Sequence, residues 1–260
     1  MKLVLALCVV LLSGKINAEH LRIISVIEPP ANYLNARGEP DGFVTDIIHA
    51  LQKKLSDNTQ IEFIPEVRAL KIANNHPNIL LFSFSRTQKR EPLFHWVGKV
   101  QSKNWHVISL KGQQLEIDDL QQLKALPSIG VVRGDVREEW LHEQGFSNVS
   151  AVTSHEQNIR RLLNGRISSI LYELQGLKHV ADSLNLDQKM FESVYIANQS
   201  DVYILMSKTG TSTALFHRWQ QAFSQLSQSG ELKAIALKWQ ARLHRQQNIS
   251  CEVIDNILVF

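Results

Sequence analysis

The sequence predicts an α/β protein made of two units, each a mostly parallel sheet flanked by helices. Three observations predict it. From His20 to Phe84, apolar β-branched runs alternate with amphipathic segments in the order strand, helix, strand, helix, strand. Such alternation argues for parallel strands joined by crossover helices. The same alternation returns between Trp105 and Glu173. No flexible or low-complexity linker separates the two stretches, so strands acting as a hinge are expected to join them.

Taken in order, HLRIISVIEPP is a β-branched run stopped by two prolines, a strand ending in a rigid loop. GEPDGFVTDIIHALQKKL is a turn followed by a helix, because Val44, Ile47, Ile48, Leu51 and Leu55 recur at helical spacing. IEFIPEV alternates as a strand, a helix follows from about Val67 to Asn74, and NILLFSF is a buried strand. The second unit reads WHVISL as a strand, IDDLQQLKAL as a helix, SIGVV as a strand, and DVREEWLHEQG as a helix closed by Gly145. NVSAVT, HEQNIRRLLNG and ISSILYE then give strand, helix and strand. SDVYILMSK is a further strand, and STALFHRWQQAFSQLSQSG and ELKAIALKWQARLH are two closing helices.

With 260 residues, 44% of them hydrophobic and 20% charged, the chain can bury a large core, which excludes disorder. The start, MKLVLALCVVLLSGKINA, has a basic Lys2, an apolar run from Leu3 to Leu12, and small or polar residues up to Ala18. This reads as a secretory signal peptide cut after Ala18. The run breaks at Ser13-Gly14-Lys15, short of the ~20 apolar residues that a membrane span needs. Cys8 leaves with the leader, and Cys251 alone cannot form an intramolecular disulfide. Losing Lys2 and Lys15 lowers the formal charge from +3 to about +1, which predicts no nucleic-acid partner. The expected location is periplasmic.

At residues 83–91, SFSRTQKRE follows the apolar run Ile79-Leu80-Leu81-Phe82. In parallel sheets ligands collect beyond the carboxyl ends of strands, and this stretch lies at such an end. Ser85 and Thr87 offer hydroxyls, while Arg86, Lys89 and Arg90 offer charge; an arginine can grip a carboxylate through two parallel bonds. The alternative is a solvated basic loop.

The pieces GEPDGFVTD, SRTQKREPLFHWVG, IGVVRGD, LLNGRISSILYE and SGELKAIALKW, in this order across nearly the whole chain, resemble the family 3 bacterial extracellular solute-binding proteins. The resemblance implies the two-lobed type II periplasmic binding fold, crossed twice by the chain and closed by ligand. Residues 19–103 plus 201–260 would form lobe 1 and 104–200 lobe 2, with crossings near KNWHV and QSDVY. It further implies that Arg90 clamps an amino acid's carboxylate, with Ser85 beside it, and that Glu173 meets the amino group. Tyr33 falls where an aromatic stacks on the ligand, and Glu28 precedes the same double proline. Arg68 either faces the cleft or covers apolar surface with its stem.

The chain departs from the family pattern at Arg133-Gly134-Asp135-Val136, where hydroxyl residues usually follow the glycine. Asp135 suits a helix cap but repels a carboxylate, so either Arg133 compensates or the ligand is not a standard α-amino acid. The function expected is capture of a small, amino-acid-like solute for an ABC permease by a monomer that needs no cofactor. A free-standing sensor serving a signalling receptor is the alternative, and a dehydratase-like enzyme on the same fold the less favoured one. His95, His106 and His155 lack metal-ligand spacing, and no G-x-S-x-G elbow occurs.

Overall fold

A computed structural model describes residues 21–260; the leader assigned to residues 1–18 lies outside them. The chain runs β1 (Arg22–Ser25), β2 (Tyr33–Leu34), β3 (Pro40–Asp41), α1 (Phe43–Leu55), β4 (Ile61–Phe63), α2 (Glu66–Asn75), β5 (Ile79–Ser85) and β6 (Phe94–Leu110). It continues α3 (Leu120–Ala125), β7 (Ile129–Val132), α4 (Val136–Glu143), β8 (Val149–Val152), α5 (His155–Leu163), β9 (Ser169–Tyr172) and α6 (Leu174–Ser183). The last elements are β10 (Phe191–Ser207), α7 (Thr213–Gln228), α8 (Glu231–Gln247), β11 (Glu252–Ile254) and β12 (Ile257–Val259). No helix among the described residues is long and apolar enough to cross a membrane.

One continuous sheet runs in the order β4-β1-β5-β10-β6-β9-β7-β8, with β12 laid parallel against β6 at Gln101 and Ser102. β4, β1 and β5 are mutually parallel at one end, and β9, β7 and β8 at the other. Between these ends, β6 and β10 pair antiparallel from Phe94↔Ser207 to Leu110↔Phe191. The fold is two-lobed: each end of the sheet carries helices on both faces.

In lobe 1, Ile23, Leu80, Phe82 and Ile204 pack on one face against Ile47, Ile48 and Leu51 of α1, Trp219 of α7 and Trp239 of α8. On the opposite face Ile24, Leu81 and Phe84 pack against Ala69 and Ala73 of α2. Burial on both faces explains why β5 reads as a near-continuous apolar run without alternation. In lobe 2, Trp105, Val107 and Val131 face Leu123 of α3 and Leu141 of α4, while Ile108 and Ile170 face Ile159 of α5 and Leu177 of α6. Cys251 packs beside the first cluster, and burial pushes its thiol up to about 11.

Helix starts follow from short polar side chains: Asp119, Asp135, Ser154 and Ser212 accept from the backbone N–H groups of Gln122, Arg137, Gln157 and Leu215. Three differences from the sequence reading have physical causes. β6 and β10 are far longer than WHVISL and SDVYILMSK, because the residues at their centres, Gln101 to Asn104 and Asn198 to Asp201, are polar and give no period-two apolar signal. Helix α6 begins directly after β9 with no turn residue to mark it and carries Gly176 inside it. The C-terminal β11–β12 hairpin turns at Asp255 and Asn256, both at positive φ (51° and 69°), the pairing a two-residue hairpin turn requires.

Gly98 in β6 sits beneath α7: a Cβ there would lie 2.2 Å from the Phe223 ring. Gly98→Ala is expected to destabilise the protein by roughly 1–3 kcal/mol through overpacking. In urea unfolding, adding Phe223→Ala should cost less than the sum of the two single changes. Additive losses would show that the ring does not set the requirement for glycine.

Candidate functional site

The parallel strands of the two lobes point their carboxyl ends at one another, where loop and helix starts leave polar groups free. Val26 to Pro29 after β1, Phe63 to Val67 around the end of β4, Val132, Arg133 and Asp135 after β7, and Tyr172 at the end of β9 enclose a cavity of about 530 Å³. Thr153 to Glu156 at the start of α5, with His179 and Val180 of α6, complete its wall.

At and behind this wall lies a cluster in which Arg90, Lys103 and Arg137 meet Glu28, Glu66, Asp135, Glu139 and Glu173. Arg137 is at its centre: its guanidinium pairs with Asp135 and Glu173 and approaches Glu28 at 3.5 Å. Asp135 Oδ1 also accepts from Arg137 Nε at 2.9 Å and from its backbone N–H at 2.7 Å, so one carboxylate caps α4 and holds the arginine. Lys103, on β6 opposite Ser200 of β10, donates to Glu28 Oε1 at 3.2 Å. Its ammonium is also 2.7 Å from Glu173 Oε1, an ion pair without hydrogen-bond alignment. Arg90 completes the cluster, 2.8 Å from Glu66 Oε1 and 3.7 Å from Glu139.

Burial by itself would raise every carboxyl here, and the outcome depends on how many cations each one meets. Lys103 and Arg137 overcome burial at Glu28 and hold it well below the usual range, and Arg137 overcomes burial at Asp135 and lowers it. At Glu66 and Glu173 burial wins, and their proton affinity is raised despite Arg90, Arg137 and Lys103. Burial, followed by the charge of Arg137, pushes His155 down to about 4. The neutral His155 ring stacks on Tyr172 with centroids 3.7 Å apart, and the Arg137 guanidinium lies 5.1 Å from the centroid of the Tyr172 ring.

The residues singled out from sequence are distributed unevenly. Glu28, Asp135 and Glu173 meet in the cluster. Arg90 is buried with them but does not line the cavity; its other contact is to the Ser85 carbonyl at 3.3 Å. Ser85 Oγ accepts from Ser200 and ties β5 to β10. Thr87 accepts the Arg90 N–H through its carbonyl, and its buried hydroxyl has no partner. Tyr33 donates to Asp41 at 3.0 Å and places its ring 5.7 Å from His179 across the cleft. Arg68 is exposed on α2 and off the cavity wall.

Arg133 is exposed and donates to the Ala151 carbonyl, so the partner that neutralises Asp135 is Arg137 and not Arg133. The cations of 83–91 all find acids of this chain: Arg86 pairs with Glu91 and lies over Trp96, and Lys89 pairs with Glu139. Sequence reasoning passed over Arg137, Lys103, Glu66, His155 and Tyr172. The available signal was small: Arg137 stands two residues after the cap Asp135, and Lys103 falls inside the expected crossing KNWHV. No group of three or more metal-ligating side chains occurs among the described residues.

Arg137→Ala leaves three carboxylates buried around a missing cation and should destabilise by roughly 3–5 kcal/mol in denaturant unfolding. Arg68→Ala should stay within about 0.5 kcal/mol. Equal small effects would refute a central role for Arg137. His155 supplies a pH signature, since its folded value of about 4 lies below the ordinary 6.5. As pH falls from 6.5 to 4 the unfolded chain takes up the proton first, so stability drops across that window. Melting temperature should therefore fall more steeply there for the natural protein than for His155→Gln; parallel curves would refute it.

The sequence matches the family of bacterial extracellular solute-binding proteins, family 3, over residues 21–242. No curated protein matches it. A histidine kinase sensor domain with similarity to periplasmic binding proteins superposes with a TM-score of 0.75 at 13% identity, over 85% of this chain and 96% of that one. A mutant of the arginine-binding protein ArgBP from T. maritima gives 0.72 at 12% identity, over 84% and 94%. An ABC uptake transporter substrate-binding protein from Streptococcus pneumoniae with bound histidine gives 0.70 at 15% identity, over 84% and 91%. At such identities the structural likeness speaks to fold, and the family match, running from the first described strand into α8, speaks to kinship. The chain belongs to the bacterial extracellular solute-binding proteins of family 3.

Proposed function

We propose that the protein captures a small polar, amino-acid-like solute between its lobes and releases it by lobe opening to an ABC-type permease of the inner membrane. The observation that carries this is the cavity of about 530 Å³ between the two sets of strand ends. Its size falls within the ~300–1,000 Å³ of small-molecule sites. Binding of this kind asks for positioning and desolvation, with no bond made or broken.

Several features support closure as the means of capture. The two crossings sit side by side where Lys103 faces Ser200 and Asn104 faces Gln199, so a small twist of two paired strands moves one lobe against the other. The facing edges meet through Lys103–Glu173, Arg137–Glu28 and Arg90–Glu139, and Val67 of α2 abuts Gly134. Lobe 1 in this reading comprises residues 19–103 and 201–260, and lobe 2 residues 104–200. Glu28 and Asp135, on the cavity wall, supply negative charge for a solute amine, while Glu173 lies behind them, off the wall, between Lys103 and Arg137. A solute carboxylate would reach Arg90 only by displacing Glu66. The basic and apolar start of the chain supports export and cleavage after Ala18.

The test is a thermal-shift screen of the purified protein against amino acids, organic acids, polyamines and short peptides. A ligand that binds only the folded state should add ~2.7 kcal/mol of stability at a hundredfold excess over its dissociation constant. Absence of any shift across the panel would refute solute capture.

A further inference from the structure

We infer that the cavity takes an organic cation, an amine, guanidine or quaternary ammonium on a short apolar body, and offers no counter-site for a carboxylate. This deepens the reading of solute capture and rests on it. The first ground is which charges reach the wall. Arg90, Lys103 and Arg137 do not line the cavity, whereas Glu28, Glu66, Asp135 and Glu156 do. Each of the three buried cations is already held: Arg90 by Glu66, Lys103 by Glu28 and Glu173, Arg137 by Asp135 and Glu173. Arg133 is the one arginine or lysine on the wall, and it points its guanidinium at the Ala151 carbonyl from an exposed position.

The second ground is the oxygens left over. Lys103 and Arg137 both approach Glu28 through Oε1, and Arg90 approaches Glu66 through Oε1. Oε2 of each carboxylate takes no hydrogen bond from these cations, and both residues line the cavity. Glu28, Glu66, Asp135, Glu139 and Glu173 meet Lys89, Arg90, Lys103 and Arg137, so a bound cation balances the formal charge, while a bound anion adds to an excess of one acid. In a desolvated cleft that difference is amplified, because charge interactions gain strength as water leaves.

The third ground is the aromatic face. Tyr172 and His155 stack as a pair on the wall, Phe63 lines it, and burial keeps both His155 and His179 below their ordinary proton affinity. Tyr172 already carries His155 on its ring and the Arg137 guanidinium 5.1 Å from its centroid, which leaves Phe63, on the same wall as the carboxylates, as the ring to meet a weakly hydrated cation. The helix start of α4, which might otherwise take a carboxylate, is occupied: Asp135 accepts the Arg137 N–H and Glu138 accepts the Gly134 N–H.

The decisive experiment compares amino acids with their decarboxylated counterparts by calorimetry and thermal shift on the purified protein. The pairs are agmatine against L-arginine and cadaverine against L-lysine, with L-glutamate, succinate and L-glutamine as anionic and neutral controls. The expected result is at least tenfold tighter binding of each decarboxylated cation than of its amino acid, and no binding of the anions. Glu28→Gln should weaken agmatine and cadaverine at least tenfold, and the comparison on the natural protein stands even where that variant fails to fold. Arginine or lysine binding as tightly as its partner, or binding of glutamate, succinate or glutamine alone, would overturn the cation assignment and leave solute capture standing. No binding by any compound would overturn both.

Discussion

Arg137, itself buried, holds three carboxylates. A guanidinium presents five N–H donors in a fixed fork, which is why one side chain can serve Asp135, Glu173 and Glu28 together. Asp135 in turn caps α4, Glu173 joins β9 to α6, and Glu28 lies in the loop after β1. One residue thus couples the start of a helix, the end of a strand and the opposite lobe. Buried ion pairs seldom add net stability over apolar packing, because desolvating each charge costs several kcal/mol. Their effect here is on geometry, since the strand ends meet in the arrangement that satisfies the charges.

The long strands β6 and β10 make this arrangement adjustable. Their ladder is interrupted between Ser193 and Tyr195, between Ile196 and Asn198, and between Val202 and Tyr203, on both sides of the Lys103↔Ser200 pair. Such irregularities bend a strand and loosen its pairing locally. Each lobe keeps its own apolar clusters, so relative motion need not disturb either core. The contacts that span the cleft are instead polar or small: Lys89 with Glu139, Tyr33 beside His179, Val67 beside Gly134. A cleft closed by polar rather than extended apolar contacts is the kind across which lobes move relative to one another.

Membership in a solute-binding family sets the kind of task, and the chemistry of the wall sets its object. The departure at Arg133-Gly134-Asp135 is the informative one. An acid in place of hydroxyls converts an anion-accepting helix start into a self-capped one, and an arginine two residues later neutralises it. The same substitution of roles appears at Arg90, where Glu66 occupies the guanidinium. On the cation reading proposed above, both changes move the site away from carboxylate recognition by the same means, an acid of this chain pairing with the arginine.

The sequence by itself determined the α/β class, the apolar helix face of α1, the suitability of Asp135 as a helix cap, and the family motifs in their order. These are local properties: they depend on side-chain periods and on groups within a few residues of one another. It also brought Glu28, Asp135 and Glu173 forward as site candidates. Only the tertiary structure decided which cations remain available. SFSRTQKRE shows three basic residues, but whether they face a ligand depends on Glu66, Glu91 and Glu139; Glu66 and Glu139 lie 24 and 50 residues from the bases they meet. The pairing of Lys103 with Glu28 across 75 positions is likewise invisible to any local pattern. Charge counts are readable along the chain, whereas charge compensation is a property of distance in space, and the fold alone fixes that.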